Sequence, residues 1–485
     1  MKKILLCILM LFSILSSCGE APHREAETQI ESIAEIIGEP EKNGKSEPSP
    51  GNITIAAFRQ ERLLAEKYEL DTGAAIRWVA LGETAEDDQA MWDAFFGKYP
   101  NGDYPEEEAD KVEAALDALW GERLHAALDG FRTGEVDMLY LDDSILATLL
   151  AAEGSAAPLD VLIGDLLTDE YFSGVIDAGR IGGTLYSITP FFTMKGIALP
   201  AGAVGELPQT PMELKVVLET LEEEYLFDDE GILFSVLADM QKEELARALD
   251  AENGIFTLDE ERLNAVNEIC TLLEKAAAVH DEEEVGHKGT FEPVRAFHLN
   301  ALLEELTAIV SEARLPHDYV PVSRFEMERM KLPYSDGDKG FGIAGGTYLV
   351  SAKTKNREAC AAYLRWLLSP SVQSDVAVTD DFSGYAKDCG VPLYRPAMEK
   401  AVCRWCVIEH PFREASLLAT GKSIPTENEV VEYNLELCER ADHYTFGDSE
   451  SFFHNWLVTA GKDQKALQEG FLAALRECGF AVTER

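Results

Sequence analysis

The chain has 485 residues, 46% of them hydrophobic, with 42 basic and 88 acidic side chains and a formal charge of -46. That length and apolar content support a large buried core divided into two or more structural units. A charge of this sign argues against nucleic acid and other polyanionic partners and leaves neutral or cationic ligands open, although solubility alone is a sufficient reason for it.

Lys2 and Lys3 precede an apolar run from Ile4 that ends in Leu15-Ser16-Ser17-Cys18. The run is short for a permanent membrane span, and residues 1–17 have the charged, apolar and small-residue order of an export signal. The tetrad resembles a bacterial lipobox, which implies that Cys18 receives a lipid and becomes the mature N-terminus; a plain signal peptide cut nearby is the alternative. Either way the protein is expected outside the cytoplasm. No later segment has the long apolar run of a membrane helix, so attachment to the cell membrane is expected through lipid only. Residues 18–51 are rich in Glu, Pro, Ser and Lys and read as a flexible tether.

The globular part opens with a strand at Ile53–Ala57, a helix at Gln60–Tyr68 and a strand at Ala75–Ala80, the unit from which parallel sheets are built. No glycine-rich phosphate loop follows the first strand, which disfavours nucleotide binding. Gly82–Pro105 reads as an acidic irregular insertion, Glu106–Phe131 as a long helix, and Val136–Leu141 as a strand running into Asp142 and Asp143. These carboxylates either accept hydrogen bonds from ligand hydroxyls at a strand's carboxyl end or cap the segment that starts at Ser144.

Gly179–Phe192 contains Gly182-Gly183, Tyr186 and Pro190 and reads as a β-hairpin. Phe191 and Phe192 then either stack on the apolar face of a sugar or pack in the core. Thr210-Pro211-Met212-Glu213 is a capping box with Pro at the first helical position. Leu226–Leu315 reads as mostly helical, including Leu258–Lys275 and Val294–Ala313.

In Gly340–Gln373, glycines at 342, 345 and 346 lead into a strand at Tyr348–Val350. A helix capped by Asn356 follows, with Cys360, Tyr363, Leu364, Leu367 and Leu368 on its apolar stripe, until Ser369-Pro370 stops it and starts another. After Val391–Pro396, helices at Thr426–Arg440 and Lys465–Cys478 complete the chain. Seven cysteines lie in the mature body, an odd and scattered set that does not make a disulfide framework. Cys403-Arg404-Trp405-Cys406 is a lone CxxC, weak evidence for zinc or redox chemistry, and takes a structural reading. No GxSxG, HExxH or zinc pattern is present, so no catalytic residue, metal or cofactor is expected.

The glycine-strand-helix-Ser-Pro segment, the Gly179–Phe192 hairpin and the Val391–Pro396 crossing occur in an order that resembles the bacterial extracellular solute-binding proteins of family 1, relatives of maltose-binding protein. The sequence departs from that pattern at Glu135, at Met194-Lys195-Gly196, where a Tyr-Asn-Lys is usual, and at Pro211 in place of Trp. The resemblance implies an α/β, two-lobed periplasmic-binding-protein-like fold, each lobe a mainly parallel sheet flanked by helices, joined by a multi-strand hinge. Lobe 1 would take residues 52–190 and 346–389, and lobe 2 residues 191–345 and 390–485. It implies capture of a small ligand, a carbohydrate, for an ABC permease in the membrane, by a monomer. The candidate ligand-binding residues are Phe58, Asp142, Asp143, Phe191, Phe192, Gly345, Gly346 and Thr347, each placed by its position at a strand end or crossing. The alternative is a ligand-sensing or docking surface lipoprotein that uses the same fold without transport, to which the departures and the acidic insertion give more weight than a close family member would.

Overall fold

A computed structural model describes residues 52–57, 62–81, 85–99, 104–141, 144–200, 206–220, 232–251, 253–281, 295–298, 327–337, 340–378, 391–400, 427–444 and 464–484. The expected signal and tether, Cys18, Phe58, Asp142, Asp143 and the CxxC at Cys403 and Cys406 lie outside these residues. All the described residues fall within one unit, Pro50–Arg485.

Strand β1 (Ile53–Ala57), helix α1 (Arg62–Thr72) and strand β2 (Ile76–Ala80) form the expected parallel unit, with Ile53 opposite Ile76 and Ala57 opposite Ala80. Helices α2 (Ala85–Lys98) and α3 (Glu106–Thr133) follow. The first corrects the expectation of an irregular insertion over Gly82–Pro105. Trp92, Phe95, Phe96 and Tyr99 recur at helical spacing, and the Phe95 ring lies 5.0 to 5.4 Å from those of Trp92, Phe96, Tyr99 and Tyr104. An aromatic face was hidden there in an acidic composition.

Strand β3 (Met138–Leu141) is followed by helices α4 (Ser144–Ala152), α5 (Asp160–Ile163) and α6 (Ser173–Ala178). The expected hairpin is a pair of two-residue strands, β4 (Arg180–Ile181) and β5 (Thr184–Leu185), leading into β6 (Ser187–Ile188) and β7 (Phe191–Pro200). Helix α7 (Pro211–Thr220) opens on its capping box: the Glu213 amide donates to Thr210 Oγ1 at 3.3 Å, and the Glu213 carboxylate accepts from the Gln209 amide at 2.7 Å, one residue before the cap.

Helix α8 (Ile232–Arg247), strands β8 (Leu249–Asp250) and β9 (Ile255–Phe256), and helix α9 (Glu260–Asp281) come next. Strand β10 (Arg295–His298) lies where a helix over Val294–Ala313 was expected; the edge of β7 captures it, with Arg295 opposite Ala198, and the rest of that stretch is outside the described residues. The walk continues with β11 (Met327–Lys331), β12 (Phe341–Ala344), β13 (Thr347–Val350), α10 (Arg357–Leu367) and α11 (Pro370–Val378). It closes with β14 (Val391–Pro392), α12 (Glu427–Glu439), β15 (Ala441–Tyr444), α13 (Gln464–Glu477) and β16 (Thr483–Glu484).

The strands assemble into two principal mixed sheets flanked by helices. The first has the order β2-β1-β3-β13-β6, parallel through β2, β1 and β3 and antiparallel at β13. The second has the order β10-β7-β12-β15, with β11 and β14 also on β7. Its partners all run antiparallel to β7, and among the described strands β12–β15 is its parallel pair. The expectation of a mainly parallel sheet in each half is therefore corrected for the second. A ten-residue strand with both edges open collects whatever short strands return to it, without the helical crossovers that parallel pairing needs.

The first sheet is buried on both faces. Ile53, Ile55, Ala57, Met138, Tyr348 and Val350 face one core with Cys360, Tyr363, Leu364 and Leu367 of α10. The alternate residues Ala56, Leu139, Leu141 and Leu349 face the other, against Leu124, Leu128 and Phe131 of α3 and Leu146 and Leu150 of α4. Phe471, Leu475 and Phe480 from the C-terminal end join that second core, and the Arg132 guanidinium of α3 lies 4.7 Å over the Phe480 ring.

Asn356, expected to cap α10, makes no capping bond; its amide donates to both oxygens of Asp137, at 3.3 and 3.2 Å. The buried Asp137 carboxylate also accepts from the Thr54 amide at 2.8 Å and from the Thr354 hydroxyl, tying β1, β3 and the β13–α10 loop together.

Candidate functional site

Two described segments carry the backbone from one sheet to the other. Thr189 and Pro190 join β6 to β7, and Gly345 and Gly346 join β12 to β13. Register fixes where they meet: Thr347 pairs with Leu141 at the end of β3, Ala344 with Thr193 near the start of β7, and Ile343 with Tyr444 at the end of β15. The crossings thus lie at the carboxyl ends of β3, β12 and β15, the kind of edge where open α/β sheets leave room for a ligand. The expected third crossing lies beside the first, with Val391 opposite Phe192 and Pro392 opposite Phe191.

The glycines at the second crossing are required by space. At Gly345 φ is +140°, and an added Cβ would lie 2.9 Å from the Phe191 carbonyl oxygen. At Gly346 it would lie 1.9 Å from the Tyr140 ring, which lies across the glycine and is centred 4.8 Å from the Tyr348 ring. Tyr140 is half-buried and belongs to the strand that leads to Asp142 and Asp143.

Phe191 and Phe192 take the core alternative. They are 3% and 0% exposed, and Phe192 packs edge-on against Phe172 at 5.6 Å, so neither ring offers an open face in this conformation. The half-exposed ring over the glycine crossing is that of Tyr140.

A set of hydroxyls gathers around the crossings. Ser187, Thr189 and Thr347 are buried and Tyr444 is half-buried, and Thr189 Oγ1 donates to the Tyr444 hydroxyl at 2.9 Å. Burial raises the Tyr444 pKa above the ordinary phenol value, and the hydroxyls of Thr189, Thr347 and Ser187 oppose that rise. Thr347 Oγ1 is buried beside this phenol. None of these side chains is charged. Such a set can exchange hydrogen bonds with a neutral polyhydroxylated molecule in both directions.

Sequence reasoning placed Gly345, Gly346 and Thr347 at the crossing and missed Tyr140, Ser187, Thr189 and Tyr444. Tyr140 had a usable signal, as an aromatic next to last in a strand pointing at an expected cleft. Tyr444 had none, because 255 residues separate it from Thr189.

Among the described residues no group of three or more His, Cys, Asp or Glu is placed to hold a metal, and no described helix is long and apolar enough to cross a membrane. Cys270, Cys360, Cys438 and Cys478 are buried in the core and form no disulfide among the described residues. Burial, reinforced by the Asp137 carboxylate, pushes the Cys360 thiol up to about 12, far from the range of a reactive thiolate.

No described protein family matches the chain, and no curated protein matches it. Among solved structures it is similar to the cyclic alpha-maltosyl-1,6-maltose binding protein from Arthrobacter globiformis, at 15% identity over 88% of this chain and 98% of that one, with a TM-score of 0.42. It is also similar to an ABC transporter solute binding protein from Agrobacterium radiobacter in complex with ribitol, at 15% identity over 89% and 100% of the two chains and a TM-score of 0.42. A third likeness is to an extracellular solute-binding protein family 1 member from Alicyclobacillus acidocaldarius, at 12% identity over 90% and 98% with a TM-score of 0.42. Likenesses this loose carry no argument about function, which rests on the geometry of the crossings.

Proposed function

We propose that this protein is an extracytoplasmic solute-binding lipoprotein with a two-lobed periplasmic-binding-protein-like fold. It is anchored through Cys18, captures a small neutral carbohydrate between its two sheets, and presents it as a monomer to an ABC permease, performing no chemistry and using no cofactor. The observation that carries this reading is the pair of backbone crossings at the carboxyl ends of β3, β12 and β15, lined by uncharged hydroxyls and one half-exposed aromatic ring. Closure of one sheet on the other about the crossings would enclose the ligand.

The ligand contacts proposed are Tyr140, Thr347, Tyr444 and the backbone at Gly345 and Gly346. Phe58, Asp142 and Asp143 join them because they follow directly on β1 and β3, which end at Ala57 and Leu141. Phe191 and Phe192 support the crossing from the core. The lobe division at 190 and 345 is part of the same reading.

The test is a thermal-shift screen of the protein against monosaccharides, oligosaccharides, polyols and amino acids. A ligand at about 100 times its Kd stabilises the folded state by about 2.7 kcal/mol, enough to move the midpoint visibly. A saturable shift with one sugar class, and no turnover of that sugar on long incubation, is the expected result. A saturable shift with amino acids alone, or turnover of the bound sugar, would overturn the reading.

A further inference from the structure

The two sheets are connected by more than the backbone crossings. Phe256 of β9 and Phe480 near the C-terminus share one apolar core with Ala56, Leu139 and Leu349 of the first sheet. Yet α8, which leads into β8 and β9, is fastened to the second sheet. It packs on β10, its Arg247 donates to both oxygens of Asp336 in the β11–β12 connection at 2.6 Å, and the same guanidinium lies 3.9 Å over the Tyr334 ring.

The C-terminal tail completes the bridge. Gly479, at a φ of +84°, turns the chain back at the end of α13, and Arg476 holds the turned tail by donating from Nε and Nη2 to the Val482 carbonyl, both at 3.2 Å. Thr483 and Glu484 then pair with Ile255 and Phe256, so that β16, β9 and β8 form one small sheet. Phe480, itself 5% exposed, meets the Arg132 guanidinium of α3 at 4.7 Å, and a Cβ at Gly479 would lie 3.1 Å from Arg132 Nη1. The path from the second sheet to the first thus runs through α8, the β8–β9 hairpin, the tail and α3. Its step onto α3 is a side-chain contact. Arg132 stands where α3 leads into the start of β3, whereas the crossings meet β3 at its carboxyl end. A contact far from a pivot resists rotation with a long lever.

We propose that the β8–β9 hairpin and the C-terminal tail form a strap that restrains rotation of the two sheets about the crossings, with Arg132 and Phe480 as its clasp. This rests on the capture reading above, in which closure is such a rotation.

The test is hydrogen-deuterium exchange on the full chain with no ligand added, so that an empty sugar screen and a failed strap remain distinguishable. Arg132→Met and Phe480→Leu each open the clasp while keeping apolar bulk. Each should speed exchange several-fold at the crossings, residues 187–193 and 343–348, which lie far in sequence from either substitution. The double variant should be no faster than the single ones, because both remove the same contact. Glu153→Gln removes an ion pair of Arg132, leaves the ring contact, and should exchange like the unmodified chain. Leu64→Ala, a cavity in the other core of the first sheet, should lower the unfolding midpoint without speeding the crossings; equal speeding there would reveal general destabilisation and overturn the strap. Unchanged exchange at the crossings in folded Arg132→Met and Phe480→Leu would overturn it as well.

Discussion

The first crossing runs through Thr189 and Pro190 into Phe191 and Phe192; the second runs through Gly345 and Gly346 into Thr347 and Tyr348. Both link the same two sheets, yet the first is held by what its side chains fill and the second by the side chains it lacks. At the first, two buried phenyl rings and a fixed proline φ anchor the strand in the core. At the second, the Phe191 carbonyl and the Tyr140 ring occupy the space where Cβ atoms would stand.

If that contrast is right, the crossings should fail in opposite ways. Phe192→Ala should have the largest effect, about 3–5 kcal/mol of stability lost to a cavity in the core, measured by denaturant unfolding. Loss below about 1 kcal/mol would mean that the first crossing is not anchored by packing. Gly345→Ala comes next, at about 1–3 kcal/mol, because an alanine must hold an unfavourable φ and press on a backbone carbonyl that cannot swing away.

Gly346→Ala should cost less, about 1–2 kcal/mol, since the obstacle is the Tyr140 ring and a side chain can turn aside. Combining it with Tyr140→Ala tests this directly: the pair should be less destabilised than the sum of the single variants, and strict additivity would show that the ring is not the obstacle.

The smallest effect concerns Asp160, which braces the approach to the first crossing. Its carboxylate accepts from the Leu185 amide at 2.8 Å and pairs with Arg180 at 2.9 Å. Burial pushes the Asp160 pKa up, but the Leu185 amide and Arg180 outweigh it and hold the group below the usual carboxylate value. A depressed folded pKa contributes stability above the unfolded value of about 4, and that contribution is lost as pH falls through the folded value. Asp160→Asn should therefore cost under about 1 kcal/mol at neutral pH, and the difference from the unmodified chain should vanish on acidification. A difference that stays constant with pH would point to lost shape rather than lost charge.

Much of the scaffold was readable from local pattern. The β1–α1–β2 unit, the glycine-strand-helix segment and the capping box at Thr210 were all legible, because each depends on residues within a few positions of one another. Helix α2 was missed because its aromatic spacing was overshadowed by acidic composition, and β10 because a short strand at a sheet edge is decided by the neighbour it finds.

Of the site, the sequence by itself determined the second crossing, since glycines at 345 and 346 before a β-rich run have few other uses. It left Phe191 and Phe192 between core and cleft, and only the burial of both rings and the packing of Phe172 on Phe192 decided for the core. It said nothing of the hydroxyl set at Ser187, Thr189, Thr347 and Tyr444, because no local rule links residues that distant in the chain. Periodicity and turn chemistry act over a few residues and are written in the sequence directly. Which hydroxyl meets which depends on how two sheets are brought together, and that is settled only when the whole chain has folded.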